Sequence, residues 1–352
     1  MKTKVLKVHA DFPAREVIAE AAKALRDGKV VIFPTETVYG VGVDCTNQKA
    51  MARLKEIKRR TDNKPFALLL PYMESVARHT AENAALYKLL TKFWPGPLTI
   101  VVPSKQGGNI GLRMPRHTVA LNLIRAAGCD IAAPSANFEG NPPPVNCSQA
   151  LRDLEGLVDL ALDSGESEVK QSSTVVDLTF SQPKILREGV ITLEEIQKVM
   201  KTKTILFVCT GNSCRSVMAE YILKDALKKN KRDDVEVMSA GTAVFVNAPA
   251  SSNTLEVLQA EGIDAGEHVS QPVDSALLKR ADLILTMTNG HRQQIIDKIP
   301  EVASRVFLLR EFSDKNPTGN MDVDDPMGGS LQEYKMCLSV IKEAVNKIIG
   351  LI

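Results

Sequence analysis

The chain of 352 residues contains 44% hydrophobic and 24% charged residues and carries a formal net charge of +2 at pH 7. This composition is typical of a soluble globular protein, and the length predicts two domains or one large one. A net charge so close to zero excludes a global electrostatic attraction to nucleic acid or to a membrane surface.

The number and spacing of the cysteines and histidines indicate which cellular compartment and which metal sites to expect. The six cysteines and five histidines are scattered, without the paired spacing of a zinc site. The sequence has no apolar run long enough for a transmembrane helix, and its N-terminus lacks the apolar core of a secretory signal. We therefore expect a cytoplasmic, reduced protein with no membrane segment and no resident metal.

The first half of the chain predicts a mixture of helices and strands. Apolar residues recur at helical spacing over 13–27, and short β-prone runs follow. The predicted strands are 30–33, 38–43, 66–70, 98–102, 110–113, 130–133 and 174–178, and the predicted helices between them are 47–60, 73–93 and 117–127. This irregular order favours an α+β domain with a mostly mixed sheet.

Positive side chains recur near the ends of these elements. Lys58 and Arg60 close a predicted helix, Lys64 follows them, Arg113 ends a later predicted strand, and Arg187 lies in the segment 185–189. Cations from separate elements could converge on a polyphosphate, although each one alone is typical of a solvated surface. No nucleophile and base stand out as a pair in this half.

Six sequence blocks of the first half together resemble the YrdC/TsaC family of threonylcarbamoyl-AMP synthases, over about residues 10–200. They are PTETVYGVG at 34–42, KRR with KP at 58–65, FWPGPL at 93–98, LRMP at 112–115, APSAN at 133–137 and STVVD at 173–177. The resemblance implies synthesis of L-threonylcarbamoyl-AMP from L-threonine, bicarbonate and ATP, with release of pyrophosphate. It further implies magnesium on the phosphates and an indirect link to tRNA, through the machinery that transfers the threonylcarbamoyl group to form threonylcarbamoyladenosine.

The same resemblance implies the site residues of the first half. The residues expected to contact ATP are Lys58, Arg60, Lys64, Ser135, Asn137 and Arg187. The residues expected to hold threonine are Thr35, Arg113, Ala133 and Ser173, with Arg113 paired to the threonine carboxylate. The chain departs from the family pattern at Arg59, Thr61, Leu69, Asn109 and Glu188. Leu69 stands where some members have a histidine near threonine, so the departures concern the threonine pocket more than the ATP site.

A domain boundary is expected near residues 200–203. A helix-like segment at 192–200 ends in a short basic tether, and a strand begins at once. The predicted domains are therefore 1–200 and 203–352. The second half alternates predicted strands at 204–208, 235–239, 282–287 and 305–309 with predicted helices at 216–229, 251–261, 274–280, 290–298 and 330–348. This order predicts an α/β doubly wound parallel sheet, which binds ligands at the carboxyl ends of its strands.

The segment CTGNSCRS places Cys209 and Arg215 six residues apart, between a predicted strand and a predicted helix. In such a loop the backbone N–H groups turn inward and form an anion-binding nest, which the helix N-terminus reinforces. The same field favours the thiolate of Cys209, and the Arg215 guanidinium offers two donors to a phosphate. Asp325, placed in a rigid turn by Pro326, suits a general acid. The pattern therefore predicts a covalent phosphatase.

These residues resemble the low-molecular-weight protein tyrosine phosphatase family over about residues 203–352. The resemblance implies that Cys209 is the nucleophile, that Arg215 binds the phosphoryl group, and that Asp325 protonates the leaving group and then activates water. The residues expected to support the phosphate loop are Asn212, Ser213, Cys214 and Ser216. The small Ser213, where phosphotyrosine enzymes tend to have a bulky apolar residue, favours the YwlE-like protein arginine phosphatases. Phosphorylated proteins are then the expected partners.

Several alternatives remain open at this stage. The pocket could prefer phosphotyrosine, because one side chain rarely fixes specificity. Arsenate reduction would need two further cysteines downstream, where only Cys337 is found, and Cys214 could form a reversible disulfide with Cys209. The first half could also be a translation-linked RNA-binding module that uses residues 58–64, joined to a phosphatase fold that senses phosphorylated partners. The net charge of +2 argues mildly against this reading.

Overall fold

The computed structural model describes residues 2–60, 65–313 and 319–352. These residues form two compact units. The first unit contains the described residues up to Glu82 together with Leu89–Val199. The second unit contains Asn83–Lys88 and Met200–Ile352.

The first unit is built on a ten-stranded sheet of mixed direction, as predicted. Its strands are β1 Lys4–Lys7, β2 Val31–Phe33, β3 Gly40–Asp44, β4 Leu68–Leu69, β5 Leu98–Pro103, β6 Asn109–Arg113, β7 Ile131–Ala132, β8 Leu160–Asp163, β9 Thr174–Asp177 and β10 Lys184–Arg187. They lie in the order β1-β8-β2-β3-β7-β4-β6-β5-β9-β10. β5 pairs antiparallel with β6 and parallel with β9, so the sheet brings β6, β5, β9 and β10 side by side.

Helices precede, connect or follow these strands along the chain. They are α1 Arg15–Arg26, α2 Gln48–Ile57, α3 Ala84–Phe93, α4 Thr118–Ala127, α5 Cys147–Leu154 and α6 Leu193–Lys201. Side-chain caps fix their starts, because Asn47 accepts from an N–H of α2 and Asn146 accepts from an N–H of α5. The apolar faces of α1 and α4 bury Leu25 and Leu123 in one core with Phe33 of β2.

The single helix predicted at 73–93 is wrong. The chain instead forms a short 3-10 helix at Met73–Arg78, and α3 begins only at Ala84. The His79 ring lies 2.8 Å from Asp130, and the His79 carbonyl accepts the Lys105 N–H at 2.8 Å. These long-range bonds hold the chain away from the helical path, and Asn83 caps the following helix by accepting the Leu86 N–H.

The second unit contains a four-stranded sheet whose strands are all parallel, as predicted for a doubly wound α/β fold. The strands are β11 Lys203–Cys209, β12 Val235–Gly241, β13 Leu283–Thr286 and β14 Val306–Leu308, in the order β12-β11-β13-β14. The helices are α7 Arg215–Lys229, α8 Ser252–Ala260, α9 Ser275–Arg280, α10 Asn289–Lys298 and α11 Leu331–Ile349. Short 3-10 helices occupy Pro300–Arg305 and Leu309–Phe312.

The central strand β11 is buried on both faces, which explains its uninterrupted apolar sequence. Ile205 and Phe207 point into one core, whereas Leu206 and Val208 point into the other. The sheet therefore lies between two helical layers. Cys209 ends this strand at the carboxyl edge, where open parallel sheets bind their ligands.

No helix in the described part of the chain combines the length and apolar character needed to cross a membrane. Within the same residues, no group of three or more His, Cys, Asp or Glu side chains is arranged to hold a metal ion.

Candidate active sites

The sulfur of Cys209 lies inside the loop that joins β11 to α7. The residue is 3% exposed, and its Sγ accepts the Asn212 N–H at 3.3 Å. Ser216 Oγ lies 3.0 Å from the same sulfur. The Asn212 N–H, the Ser216 hydroxyl and the N-terminus of α7 therefore surround this sulfur.

Asn212 holds this loop in shape. Its backbone adopts a left-handed φ of 51°, which asparagine tolerates better than most residues. Its side-chain amide donates to Ser216 at 3.0 Å and to Ser239 at 2.6 Å, and its Oδ1 accepts the Gln271 N–H at 2.9 Å. These three bonds fix the Asn212 side chain, and with it the loop whose Asn212 N–H is directed at the Cys209 sulfur.

Arg215 opens α7 and joins the loop to the segment that carries Asp325. The residue is 4% exposed, its Nη1 donates to the Val323 carbonyl at 3.1 Å, and its Nη2 pairs with the Asp325 carboxylate. Its Nε is buried without a hydrogen-bond partner among the described residues. The Asp325 side chain is 46% exposed and can exchange this ion pair for a substrate group. The predicted nucleophile, clamp and acid therefore lie in one place.

The remaining predicted loop residues lie at the start of α7 and just before it. Cys214 is buried, with its Sγ 3.3 Å from Ser251 Oγ and 3.4 Å from the Tyr334 hydroxyl. Ser213 is half-buried, and its carbonyl accepts the Ser251 N–H at 3.0 Å. The packing of Cys214 against α8 and α11 gives this cysteine a structural role in addition to any redox role.

The second candidate site is a cavity of about 750 Å³ in the first unit. Strands β4, β5, β6, β9 and β10 contribute to its wall, together with the end of α2 and the segment after β7. The predicted residues that line the cavity are Thr35, Lys58, Arg60, Arg113, Ala133, Ser135, Asn137, Ser173 and Arg187. Lys64 lies outside the described residues.

Lys58 follows α2 and reaches across the cavity wall to the segment after β7. Its Nζ donates to the Ser135 carbonyl at 2.8 Å and to the Asn137 carbonyl, and Asn137 Oδ1 lies 3.3 Å away. Burial lowers the pKa of Lys58 to about 8, despite the opposing charges of Glu139 and Asp153. The ammonium therefore holds the segment 135–137 against α2 and adds positive charge to the cavity.

Arg59 shows how the chain accommodates one departure from the family pattern. Its φ of 52° lies in the left-handed region, where glycine is favoured. Its guanidinium carbon lies 3.9 Å from the centroid of the Phe138 ring, a cation–π contact. This contact offsets part of the cost of the left-handed backbone.

Arg113 ends β6, and two of its three guanidinium nitrogens, Nε and Nη2, are hydrogen-bonded to neighbouring residues. Its Nε donates to the Gly96 carbonyl at 3.1 Å, and its Nη2 donates to Glu36 at 2.8 Å and to Thr37 at 2.9 Å. The remaining nitrogen, Nη1, makes no hydrogen bond within the described ranges and is the donor left for a ligand carboxylate. Glu36 is 1% exposed, and its Oε2 has no partner among the described residues.

Arg187 and Ser173 form a second donor group in the same cavity. Arg187 donates to the Ser173 carbonyl at 2.9 Å and to its hydroxyl at 2.9 Å, and Ser173 Oγ lies 2.9 Å from Thr99 Oγ1. Burial and then the nearby guanidinium of Arg113 lower the pKa of Arg187. Two guanidinium groups thus face one cavity, an arrangement that suits anionic ligands.

Sequence reasoning missed Glu36, Thr37 and Thr99 in the first unit and His291 in the second. Glu36 and Thr37 belong to the PTETVYGVG block, which was the available signal for them. Thr99 gave no signal, because its contact with Ser173 spans 74 residues. His291 lies 2.9 Å from Thr210 of the phosphate loop, across 81 residues.

The lowered pKa of Lys58 predicts that the KM for ATP depends on pH. If the positive charge of Lys58 binds triphosphate, the KM for ATP should rise as pH increases through about 8, because the neutral amine loses that attraction. At pH 9 the expected rise is roughly tenfold relative to pH 7. Lys58→Arg, which stays charged, should flatten the dependence. A KM for ATP that is flat from pH 7 to 9 in the parent protein would contradict this role.

Comparison with known proteins assigns each unit to a family. The family model described as "Telomere recombination", for Sua5, YciO and YrdC proteins, matches residues 23–189. The family model described as "Low molecular weight phosphotyrosine protein phosphatase" matches residues 204–351. A putative threonylcarbamoyl-AMP synthase of Mycobacterium tuberculosis is 38% identical over 195 residues, which is 52% of this chain and 88% of that protein. The protein-arginine-phosphatase of Bacillus subtilis is 38% identical over 145 residues, which is 41% of this chain and 93% of that protein.

The chain spans about half the length of other curated relatives. The threonylcarbamoyl-AMP synthase of Pyrococcus abyssi is 40% identical over 192 residues, which is 51% of this chain but only 56% of that protein. The crystal structure of P. abyssi Sua5 complexed with L-threonine shares the fold, with a TM-score of 0.54 at 24% identity, and covers 87% of this chain and 99% of that chain. By its two parts, the chain belongs to both the Sua5/YciO/YrdC family and the low-molecular-weight phosphotyrosine protein phosphatase family.

Proposed function

We propose that the first unit synthesises L-threonylcarbamoyl-AMP. The amine of L-threonine attacks bicarbonate and gives a carbamate with loss of water. A carbamate oxygen then attacks the α-phosphorus of ATP, and the bond to the β-phosphate oxygen breaks to release pyrophosphate. Because the substrates supply the nucleophile, the protein has to position them and neutralise their charge.

The observation that carries this proposal is the cavity of about 750 Å³ with cations at separate places on its wall. Nη1 of Arg113 suits the threonine carboxylate, with Thr35, Ala133 and Ser173 nearby on the same wall. Lys58, Arg60 and Arg187, with Ser135 and Asn137, suit the triphosphate. Relatives named threonylcarbamoyl-AMP synthase support the assignment.

Magnesium on the triphosphate fits the residues of the cavity. Glu139 and Asp177 line it, and carboxylate oxygens are the protein ligands that magnesium prefers. Glu139 or Asp177 would hold such an ion beside the triphosphate, where it would neutralise phosphate charge. We further propose that the protein is cytoplasmic, because a reactive thiol needs a reducing compartment. We also propose that the product of the first unit passes to the tRNA-modifying machinery.

The test of the first activity is pyrophosphate release from ATP in the presence of bicarbonate, with and without threonine. Mass spectrometry of the same mixture should detect the threonylcarbamoyl adenylate. Pyrophosphate release that needs both threonine and bicarbonate supports the proposal. Pyrophosphate release that does not depend on threonine, combined with tight binding of RNA, would instead favour an RNA-binding module.

We propose that the second unit is a cysteine-dependent protein phosphatase that acts on phosphoarginine. The Cys209 thiolate attacks phosphorus, the phosphorus–nitrogen bond breaks, and Asp325 gives its proton to the departing guanidine nitrogen. Asp325 then takes a proton from water, whose oxygen attacks the phosphocysteine and releases phosphate and the free thiolate. Arg215 and the loop amides hold the phosphoryl oxygens in both steps.

The choice of phosphoarginine rests on the half-buried Ser213 and on the relative named protein-arginine-phosphatase. A small hydroxyl residue leaves room for a planar, charged guanidinium beside Asp325. The test is the ratio of kcat/KM for phosphoarginine and phosphotyrosine peptides of matched sequence. A ratio below one would replace the proposal with a phosphotyrosine phosphatase.

Ser213→Ile should shift this ratio towards phosphotyrosine. The larger apolar side chain fills the space expected for the guanidinium and gives a phenyl ring a surface to pack on. We expect a change in the ratio of about tenfold or more, which is a typical size for one reshaped pocket wall. Ser213→Thr, which keeps a small hydroxyl side chain, is the matched control. The same ratio for Ser213→Ile and the parent protein would show that this position does not select the substrate.

A further inference from the structure

His291 is a buried polar side chain that the proposed mechanism leaves unused. It lies in the first turn of α10 and is 6% exposed. The start of α10 is tied to the segment that carries Asp325, because Asp322 Oδ1 accepts the Asn289 N–H at 2.7 Å. His291 therefore contacts the phosphate loop, and its helix is tied to the segment that carries Asp325.

Both ring nitrogens of His291 meet a hydroxyl group. Nε2 lies 2.9 Å from Thr210 Oγ1, and Nδ1 lies 2.9 Å from Thr288 Oγ1. Burial and then the positive charge of Arg215 lower the pKa of His291 to about 4. The ring is therefore neutral near pH 7, with one nitrogen that donates and one that accepts.

Thr210 is the hydroxyl residue next to the nucleophile. It follows Cys209 directly and is exposed. The guanidinium of phosphoarginine carries N–H donors only, so a neighbouring hydroxyl contributes to binding by accepting. The hydroxyl's own hydrogen must then be given to another acceptor, and Nε2 of His291 is within reach.

We propose that Thr210 Oγ1 accepts a hydrogen bond from the guanidinium of a phosphoarginine substrate, and that His291 is the positioning residue that orients this hydroxyl. The chain of donors runs from the substrate N–H to Thr210, from Thr210 to Nε2, and from Nδ1–H to Thr288. This contact rests on the phosphoarginine activity proposed above and adds a second determinant of it. The ring of phosphotyrosine has no donor for Thr210.

Thr210→Val tests the contact, because valine has nearly the same shape and no hydroxyl. We expect kcat/KM for a phosphoarginine peptide to fall at least tenfold more than kcat/KM for p-nitrophenyl phosphate. Thr210→Ser should restore most of the difference. His291→Phe should change the same ratio, and the double variant with Thr210→Val should lose little more than Thr210→Val alone. Equal losses on both substrates would overturn the contact.

Different results would refute the proposed phosphoarginine activity and the proposed Thr210 contact. A parent protein that does not hydrolyse phosphoarginine would remove the activity and the contact together. A parent protein that does, with an unchanged substrate ratio in Thr210→Val, would remove the contact alone. Long-range proton–nitrogen NMR of the ligand-free protein at pH 7 gives an independent reading of His291. A neutral ring protonated on Nδ1 is expected, and a proton on Nε2 would overturn the proposed role of His291.

Discussion

Cys209→Ser should abolish the phosphatase activity and leave threonylcarbamoyl-AMP synthesis intact. The reason is chemical, because a serine hydroxyl in the same cradle is far less acidic than a thiol and does not supply the anionic nucleophile. We expect kcat for phosphoarginine and for p-nitrophenyl phosphate to fall by about 10⁴-fold or more, as for other catalytic nucleophiles. Stopped-flow or quench assays on both substrates, with the ATP assay on the same preparation, measure this.

The matched control for this variant is Cys337→Ser. Cys337 is also a buried cysteine of the second unit, but it lies on α11 outside the phosphate loop, with its Sγ 3.7 Å from the Asp324 carbonyl. It should keep most of the phosphatase activity, and acid-quenched parent protein should carry phosphorus on Cys209. Turnover by Cys209→Ser at the parent rate would refute covalent catalysis at this sulfur.

Arg113→Met should both destabilise the first unit and impair the use of threonine. The variant leaves the carboxylate of Glu36 buried without its positive partner, a change that typically costs about 3–5 kcal/mol. The melting temperature of the first unit should fall by roughly 6–20 °C. It should also lose the donor expected to hold the threonine carboxylate.

A second substitution separates stability from function. Adding Glu36→Gln removes the uncompensated charge and should recover most of the lost stability. It should not recover the KM for threonine, because the guanidinium is still missing. Thermal unfolding and threonine-dependent pyrophosphate release are the two measurements. A double variant that regains a normal KM for threonine would show that Arg113 does not bind this substrate.

Local sequence predicted the second unit closely. The predicted strand 204–208 and helix 216–229 correspond to β11 and α7, because an apolar run, a loop and an amphipathic pattern lie next to one another. The residues of the phosphate loop are close in sequence, so their spacing already implied their geometry. Asp325 was singled out by its Asp-Pro turn and by the family resemblance, but its contact with Arg215 was not predicted, because the two residues lie 110 positions apart.

The first unit was harder to predict from sequence. Strands β1 and β10 were missed because both are edge strands with exposed, charged residues, and they lack the apolar run that marks a buried strand. Strand β8 was missed as well, although it is buried, because its apolar run covers only three residues. The break before α3 depends on the contact of His79 with Asp130, 51 residues away. The ion pair of Arg113 with Glu36 spans 77 residues in the same way. Contacts between residues so far apart in sequence produce no periodic pattern from which they could be predicted.

The most direct test of two separate active sites in one chain uses two variants and two assays. Cys209→Ser and the double variant Glu36→Gln, Arg113→Met are each assayed for phosphoarginine hydrolysis and for threonine-dependent formation of threonylcarbamoyl-AMP. We predict that Cys209→Ser loses only the first reaction and that the double variant loses only the second. Loss of both reactions in either variant, or of neither, would contradict the presence of two separate sites.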